Sequence, residues 1–175
     1  MNSKYEPFNV YLADVSYFSG KLEALLRYKQ INFKRINSSV GILVNEVYPN
    51  TGVMKVPAVK LANAQWLKDT TPMFDWLEME YPQYPIMPED PVLHFLSKLI
   101  EDYADEWCWR SAMYWRWCFT ESRNLLAPRI SKEVLADWPI PSKLGAWYFA
   151  NRQITTFLLK DGLTKKTEPY IKQHY

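Results

Sequence analysis

Apolar and polar residues change their spacing along the first part of the chain, and the spacing predicts strands and helices in turn. Residues 8–13 (FNVYLA) are apolar, aromatic and β-branched, which predicts a buried strand. One apolar helix face follows, made by Phe18, Leu22, Leu25, Leu26 and the aliphatic stem of Lys29. Ser19 is placed to cap this helix. Residues 31–36 (INFKRI) read as a second strand.

The pattern from residue 38 to residue 81 predicts further sheet and helix. Residues 38–52 end in the breakers Pro49, Asn50 and Gly52, which predicts a loop with a short helix. Residues 56–61 and 64–69 read as two strands joined by a tight turn. Thr71 then caps a helix with Pro72 at its first position. The buried side of that helix is expected at Met73, Phe74, Leu77 and Tyr81. The order predicts an α/β domain over residues 1–81, with helices covering a sheet.

A proline-rich stretch, residues 82–91, reads as an interdomain linker. Asp90 and Pro91 then cap and open a helix, and residues 92–175 read as an all-helical domain. Apolar residues recur at helical spacing at Val92, Leu96, Leu99, Tyr103 and Trp107. Helices are expected through about residue 125, near 131–137 and over 142–160. Because helical character still runs at the last residue, we expect the helical domain to be incomplete and the sequence to be C-terminally truncated.

Composition narrows the possible partners. Of 175 residues, 48% are hydrophobic and 23% charged, which is enough apolar material for a core. The net charge of +2 is small and interspersed, so neither nucleic acid nor a membrane is expected as a partner. No apolar stretch reaches the length of a spanning helix and no signal pattern opens the chain, so a cytoplasmic location is expected. Two cysteines and two histidines form no visible metal constellation, and no metal is expected.

Several stretches in this order resemble the cytosolic glutathione transferase superfamily, which joins a thioredoxin-like domain to a helical domain. They are VSYFSGKLEALLRYKQINF (15–33), KVPAV (55–59), WLKDTTPMFDWLEMEYP (66–82) and PEDPVLHFLSKLIEDYADEW (88–107). The resemblance implies a co-substrate, glutathione, and a homodimer in which part of the helical domain is buried.

The resemblance also implies a glutathione site. The sequence alone predicts a trans Val56–Pro57 bond, since about 5–6% of such bonds are cis; the resemblance predicts cis, with the Val56 backbone holding glutathione and Pro57 fixing the geometry. Asp69 and Thr70 would take the γ-glutamyl ammonium and carboxylate at a helix N-terminus. The alternative is that Asp69, Thr70 and Thr71 only cap the helix. Lys55 would reach the glycyl carboxylate, unless it is simply solvated, and Lys34 or Arg35 is less well placed.

Ser16 stands where the family has the Ser or Cys that meets the glutathione sulfur. Its hydroxyl would donate to the thiolate and lower the thiol pKa. Ser19 and Tyr17 are rivals in the same turn, Ser19 as a helix cap and Tyr17 as a packed or exposed aromatic. Residues 16–19 have the spacing of a Cys-x-x-Cys site with oxygen in place of both sulfurs, which excludes dithiol–disulfide exchange here.

The segment WCWRSAMYWRWCF (107–119) surrounds a helix with aromatic residues, which favours burial in a core or domain interface. The resemblance offers another interpretation, in which Tyr17, Trp107, Tyr114 and Trp115 line a pocket for a hydrophobic electrophile. Asp102 could reach the γ-glutamyl ammonium across a dimer interface, although a solvated acidic face explains it equally. Three functions stay open: a glutathione transferase, a non-catalytic glutathione- or partner-binding relative, and a helical interaction module.

Overall fold

The structure is a computed structural model that describes residues 4–174, and the chain divides into two compact units. The first unit holds residues 4–86 together with the later segment Glu133–Pro139. The second holds residues 87–132 and 140–174. The first unit is therefore discontinuous in sequence, because it includes a short segment from the second half of the chain.

A mixed sheet of four strands forms the centre of the first unit. The strands are β1 (Phe8–Leu12), β2 (Phe33–Asn37), β3 (Ala58–Lys60) and β4 (Trp66–Lys68). Their spatial order is β2-β1-β3-β4; β1 is parallel to β2 and antiparallel to β3, which is antiparallel to β4. The helices are α1 (Tyr17–Tyr28), α2 (Val40–Ile42), α3 (Tyr48–Thr51) and α4 (Thr70–Glu80). This arrangement confirms the thioredoxin-like fold expected from the sequence.

The two faces of the sheet contact different helices, because side chains alternate along β1. One face packs on α1 and α4 in a cluster that includes Phe8, Val10, Leu12, Leu22, Leu26, Met73 and Leu77. Tyr11 points to the opposite face and packs with Val47 and Ala58. The four residues predicted for the buried side of α4, Met73, Phe74, Leu77 and Tyr81, are all buried.

Two helices begin before the positions that the sequence predicts. The N-cap of α1 is Ser16, whose Oγ accepts the Ser19 N–H at 3.2 Å, so the cap predicted at Ser19 is wrong. The N-cap of α4 is Asp69, whose Oδ1 accepts the Thr71 N–H at 3.3 Å, so the cap predicted at Thr71 is also wrong. Each turn contains more than one residue able to cap, and in both turns the earlier one is used.

Residues 40–51 are helical almost throughout, where the sequence predicts a loop with a short helix. A π-helical turn at Leu43–Val47 connects α2 to α3. The segment ends at Gly52, whose φ of 73° suits glycine. Pro49 lies in the first turn of α3, directly after the π-helical turn, and the helical segment continues through it to Thr51.

The second unit is made of helices. They are α5 (Pro91–Tyr103), α6 (Trp109–Trp117), α7 (Thr120–Val134), α8 (Ser142–Arg152) and α9 (Glu168–Gln173), and π-helical turns extend α5 at Ala104–Cys108 and α8 at Gln153–Leu158. The last residues of α7 belong to the first unit. Asp90 caps α5 and Pro91 opens it, as predicted. The break predicted between about 125 and 131 is wrong, because α7 continues through Pro128.

The apolar side chains of α5 are exposed in the single chain. This α5 apolar face consists of Val92, Leu93, Phe95, Leu96, Leu99, Ile100 and Tyr103, which are 43% to 66% exposed. Such a continuous apolar surface is unusual on a monomer and is typical of an interface. Within residues 4–174, no helix combines the length and apolar character needed to cross a bilayer.

Candidate functional site

Three chain segments meet at one end of the sheet in the first unit. In the antiparallel register, Tyr11 of β1 lies opposite Ala58 of β3, and Ala58 lies opposite Lys68 of β4. The end of β1, the start of β3 and the end of β4 are therefore neighbours. The turn to Ser16, the Val56–Pro57 pair and the Asp69–Thr70 pair leave the sheet at this common end, so the fold brings the predicted glutathione-site residues of the first unit together.

Ser16 is half-buried at the N-terminus of α1. Its N–H donates to the Ala13 carbonyl at 3.0 Å, and its hydroxyl oxygen accepts the Ser19 N–H at 3.2 Å. Because the oxygen acts as an acceptor toward Ser19, its own hydrogen can point away from the helix toward a ligand. The positive end of the α1 dipole favours negative charge at the same place.

The two rivals of Ser16 have different surroundings. Ser19 is 2% exposed, and its Oγ accepts the Ala13 N–H at 3.1 Å, so this hydroxyl is part of the turn's interior. Tyr17 is 43% exposed and packs edge-on against Phe18, with ring centroids 4.9 Å apart. Of the three side chains, Ser16 is the N-cap of α1 and is half-buried, whereas the Tyr17 ring is more exposed and the Ser19 hydroxyl is buried.

The N-terminus of α4 shows an unusual backbone. Asp69 has φ 70° and ψ 126°, a region that a non-glycine residue rarely occupies. Such outliers cluster at ligand sites, where the surrounding structure holds them in place. Asp69 is exposed, and Thr70 after it is 4% exposed. This helix end combines the Asp69 carboxylate, which accepts the Thr71 N–H, with the positive end of the α4 dipole.

The Val56–Pro57 peptide bond is cis. Val56 is half-buried and packs against the cluster around Tyr11, while Pro57 is buried. Lys55 is exposed. Nearby, Lys68 Nζ donates to the Thr51 carbonyl at 2.5 Å and connects β4 to the end of α3. The backbone on both sides of Val56 is therefore attached to the body of the unit, while the Lys55 side chain extends into solvent.

Carboxylates surround the turn before Ser16, and sequence reasoning missed them. The Asp14 N–H donates to both Glu133 oxygens at 2.9 Å, and the Asp14 carboxylate pairs with the Arg35 guanidinium. Arg35 also pairs with Glu23 at 3.0 Å. Arg35, which the sequence offered as a ligand for the glycyl carboxylate, therefore already has carboxylate partners within the protein. Burial raises the pKa of the Glu133 carboxyl above its usual value, and the Asp14 N–H opposes that shift. The 119 residues between Asp14 and Glu133 leave no local signal of the contact.

Tyr11 is a second group that the sequence did not single out. Its hydroxyl donates to Glu46 at 2.7 Å and its ring stacks on Trp66 with centroids 5.0 Å apart. Burial, followed by the Glu46 carboxylate, raises the pKa of Tyr11 well above its usual value. Tyr11 is therefore a neutral residue that fixes the 40–51 segment to the sheet.

The aromatic residues of the second unit are partly exposed. Trp107 and Trp115 are 57% and 37% exposed, so the burial expected for the whole segment is wrong for them. Tyr114 is buried, and its hydroxyl donates to Glu168 at 2.6 Å. Asp102 is exposed on α5. A small pocket between α6 and α7 is lined by Ala112, Trp115, Arg116, Ser122, Leu125 and Leu126. Within residues 4–174, no His, Cys, Asp and Glu side chains form a group of three or more able to hold a metal.

These features define a class of protein: a thioredoxin-like unit with a polar site at one sheet end, followed by a unit of helices. Residues 10–85 match the glutathione S-transferase N-terminal domain family. The match covers the first unit and agrees with the family that the sequence pattern resembles. No curated protein matches the sequence.

Solved structures with the same fold have low sequence identity. A glutathione S-transferase from Methylobacterium radiotolerans, in complex with glutathione sulfonate, has a TM-score of 0.56 and 16% identity, over 95% of this chain and 87% of that one. A Tau class glutathione S-transferase from mango (Mangifera indica) has a TM-score of 0.57 and 13% identity, over 98% of both chains. A glutathione transferase family member from Pseudomonas fluorescens with bound glutathione has a TM-score of 0.51 and 17% identity, over 89% of this chain and 73% of that one. At this identity the likeness establishes the fold.

Proposed function

We propose that this protein is a glutathione transferase that binds glutathione and activates its thiolate for attack on a hydrophobic electrophile. The observation that carries the proposal is the meeting of Ser16, Val56–Pro57 and Asp69–Thr70 at one end of the sheet. The family match over residues 10–85 and the fold shared with glutathione-bound proteins support it.

Ser16 is the proposed catalytic residue. Its hydroxyl donates a hydrogen bond to the glutathione sulfur, which stabilises the thiolate and lowers the thiol pKa from about 8.5. The N-terminus of α1 acts in the same direction. The thiol proton leaves to solvent, and a sulfur electron pair forms the carbon–sulfur bond. At the same carbon, a leaving group departs with its bonding pair, or an activated double bond opens and its carbanion takes a proton from solvent. The protein supplies no covalent nucleophile of its own.

The proposed glutathione contacts use backbone and helix-end groups. The Val56 N–H and C=O pair with the cysteinyl backbone as a strand edge would, with Pro57 fixing their direction. The γ-glutamyl carboxylate accepts from the Thr70 N–H and hydroxyl at the α4 N-terminus, and Asp69 pairs with the γ-glutamyl ammonium. Lys55 reaches the glycyl carboxylate. Lys34 and Asp102 stay weaker candidates.

The proposed electrophile is a small hydrophobic molecule, because aromatic side chains offer flat apolar contact area. In the second unit the candidate contacts are Trp107 and Trp115, both exposed, and Tyr114 supports Trp115 edge-on at a centroid distance of 5.6 Å. In the first unit the candidate is Tyr17, which is also exposed. A homodimer and a cytoplasmic location complete the proposal and rest on the family resemblance.

Titration calorimetry with glutathione tests the proposal on wild type and three variants. Wild type should bind, while Thr70→Ala and Val56→Pro should weaken binding about tenfold or more, since each removes a hydrogen bond to a charged or backbone group worth about 1–3 kcal/mol. Ser16→Ala should bind nearly as well but raise the pKa of the bound thiol and lower turnover about 100-fold. Absence of binding by folded wild type at millimolar glutathione would refute the proposal.

The alternative is a non-catalytic protein that uses the same site for glutathione or a partner. The cap made by Asp69 favours it, because a carboxylate that accepts the Thr71 N–H has a structural role without any ligand. Turnover separates the two: glutathione binding without a lowered thiol pKa, and without conjugation of any test electrophile, would support the alternative.

A further inference from the structure

The segment Glu133–Pro139 supplies carboxylates to two backbone N–H groups of the first unit. Glu133 accepts the Asp14 N–H with both oxygens at 2.9 Å. Asp137 Oδ2 accepts the Gly41 N–H at 3.1 Å. A Cβ atom at Gly41 would lie 2.5 Å from that oxygen, so the second contact requires glycine. The segment thus holds both the turn before α1 and the start of α2.

Glu133 acts on the turn that ends at Ser16. Within it, the Ser16 N–H donates to the Ala13 carbonyl at 3.0 Å and the Ala13 N–H donates to Ser19 Oγ at 3.1 Å. These bonds fix both ends of the turn to each other. Asp14 lies between Ala13 and Ser16, and its N–H donates to the Glu133 carboxylate, which connects the turn to the segment Glu133–Pro139. The position of the Ser16 hydroxyl therefore depends on the Glu133 contact.

Stability alone does not explain a glutamate at this position. Burial raises the pKa of the Glu133 carboxyl above its usual value, and the hydrogen bond from the Asp14 N–H and the charge of Arg35 only partly offset this rise. A neutral acceptor would avoid the cost of burying charge. Groups kept in such surroundings are concentrated at functional sites.

We propose that Glu133 is a positioning residue that fixes the Ala13–Ser16 turn and so directs the Ser16 hydroxyl at the glutathione sulfur. The role of Ser16 toward sulfur rests on the proposed function. The role of Glu133 in holding the turn rests on the Asp14 contact alone. The two parts can be tested separately in the full chain.

The experiment compares wild type with Glu133→Ala, Glu133→Gln and Asp137→Ala. Glu133→Gln keeps an acceptor oxygen, and Asp137→Ala removes the other carboxylate of the same segment as a matched control. Hydrogen exchange at the Asp14 and Ser16 amides reports on the turn. The pKa of the bound thiol, from its thiolate absorbance, reports on sulfur activation, and calorimetry gives the glutathione affinity.

In Glu133→Ala, the Asp14 amide should exchange about tenfold faster than in wild type. The pKa of the bound thiol should rise by about one unit, while the glutathione affinity should stay within about threefold of wild type. Glu133→Gln should have the wild-type exchange rate and thiol pKa, and Asp137→Ala should leave both of these quantities unchanged. The inference would be overturned if the Asp14 amide of Glu133→Ala exchanged at the wild-type rate. It would also be overturned if this variant lost thermal stability while the pKa of the bound thiol stayed unchanged. If wild type does not bind glutathione, the proposed function fails, and the amide exchange still decides whether Glu133 holds the turn.

Discussion

At the scale of single residues, the candidate site depends on groups that have two roles. Ser16 accepts the Ser19 N–H as a helix cap, and its hydrogen stays available for sulfur. Asp69 accepts the Thr71 N–H and still presents a carboxylate at the helix end. A cap residue is held in place by the helix it begins, so its side chain is ordered before a ligand arrives.

Asp69→Asn should separate the two roles of this residue. Asparagine keeps an oxygen for the Thr71 N–H and tolerates a positive φ, so the free energy of unfolding should stay within about 0.5 kcal/mol. The charge that meets the γ-glutamyl ammonium is lost, so glutathione should bind about tenfold more weakly. Calorimetry and urea unfolding measure the two quantities. Asp90→Asn, at the N-cap of α5, is the matched control and should leave the affinity unchanged.

At the scale of elements, one buried lysine connects α1, α4 and the segment after α4. Lys29 Nζ lies 2.6 Å from Glu78 with a fully buried side chain, and it donates to the Tyr81 and Tyr84 carbonyls at 2.9 and 3.3 Å. The sequence pattern placed only the aliphatic stem of Lys29 at the helix edge. Removing one partner of a buried ion pair leaves the other charge without compensation, which makes this lysine important for packing of the two helices.

Lys29→Ala should therefore lower the free energy of unfolding by about 3 kcal/mol, as for other buried pairs that lose a partner. Urea unfolding with an unchanged m-value would measure it. The control is Arg27→Ala, which breaks the exposed pair between Arg27 and Glu23 on the same helix. Exposed pairs contribute about 0–1 kcal/mol, so the control should change little. Equal effects in the two variants would contradict the prediction.

The contact between α9 and α6 should depend on pH. Tyr114 and then Lys172 hold the pKa of Glu168 below its usual value. A lowered pKa in the folded state means that the contact stabilises the fold fully above the usual glutamate pKa of about 4.3. This stabilisation is lost as the pH falls through the lowered value. The protection factors of the amides of residues 168–173, which are exchange rates corrected for the intrinsic pH dependence of exchange, should therefore fall in acid.

Glu168→Gln removes the titrating group, so the α9 protection factors of this variant should no longer change with pH through that acidic range. Tyr114→Phe should weaken the contact at neutral pH, because it removes the hydroxyl that donates to Glu168. An acid-induced fall in protection of the same size in Glu168→Gln would show that another group is responsible.

Local signals account for what the sequence predicted correctly. Apolar and β-branched composition identified the strands, and helical spacing identified the buried side of α4, since each signal lies within one element. The caps of α1 and α4 were misplaced because Ser16 competes with Ser19, and Asp69 with Thr71, within one turn. Partners distant in sequence were not predictable: Glu133 lies 119 residues from Asp14. Apolar spacing along α5 predicted a helix but not what its apolar face contacts.

At the scale of the whole molecule, the α5 apolar face has the composition of an interface. Its seven residues are large, apolar and 43% to 66% exposed. The proposed homodimer offers a second copy of the same face, and a two-fold contact would bury both faces at once. Burying a large apolar side chain stabilises an interface by about 1.5–3 kcal/mol.

Phe95→Glu should convert the dimer to a monomer, because it places a charge within the buried contact. Sedimentation velocity should show the mass falling from that of two chains to that of one, while circular dichroism stays unchanged. Leu159→Glu is the control, since Leu159 is also exposed and apolar but lies after α8. A monomeric wild type, or an equal effect of Leu159→Glu, would refute dimerisation through α5.

The discontinuity of the first unit affects how the protein forms during synthesis. All four strands are complete once residue 68 has left the ribosome, so the sheet can assemble while the rest of the chain is being made. The Asp14 and Gly41 amides meet their carboxylates only after Glu133 and Asp137 have been translated. The sheet can therefore form before the site at its end is complete. A nascent chain stalled before residue 133 would contain all four strands, but its Ser16 turn would lack the Glu133 contact.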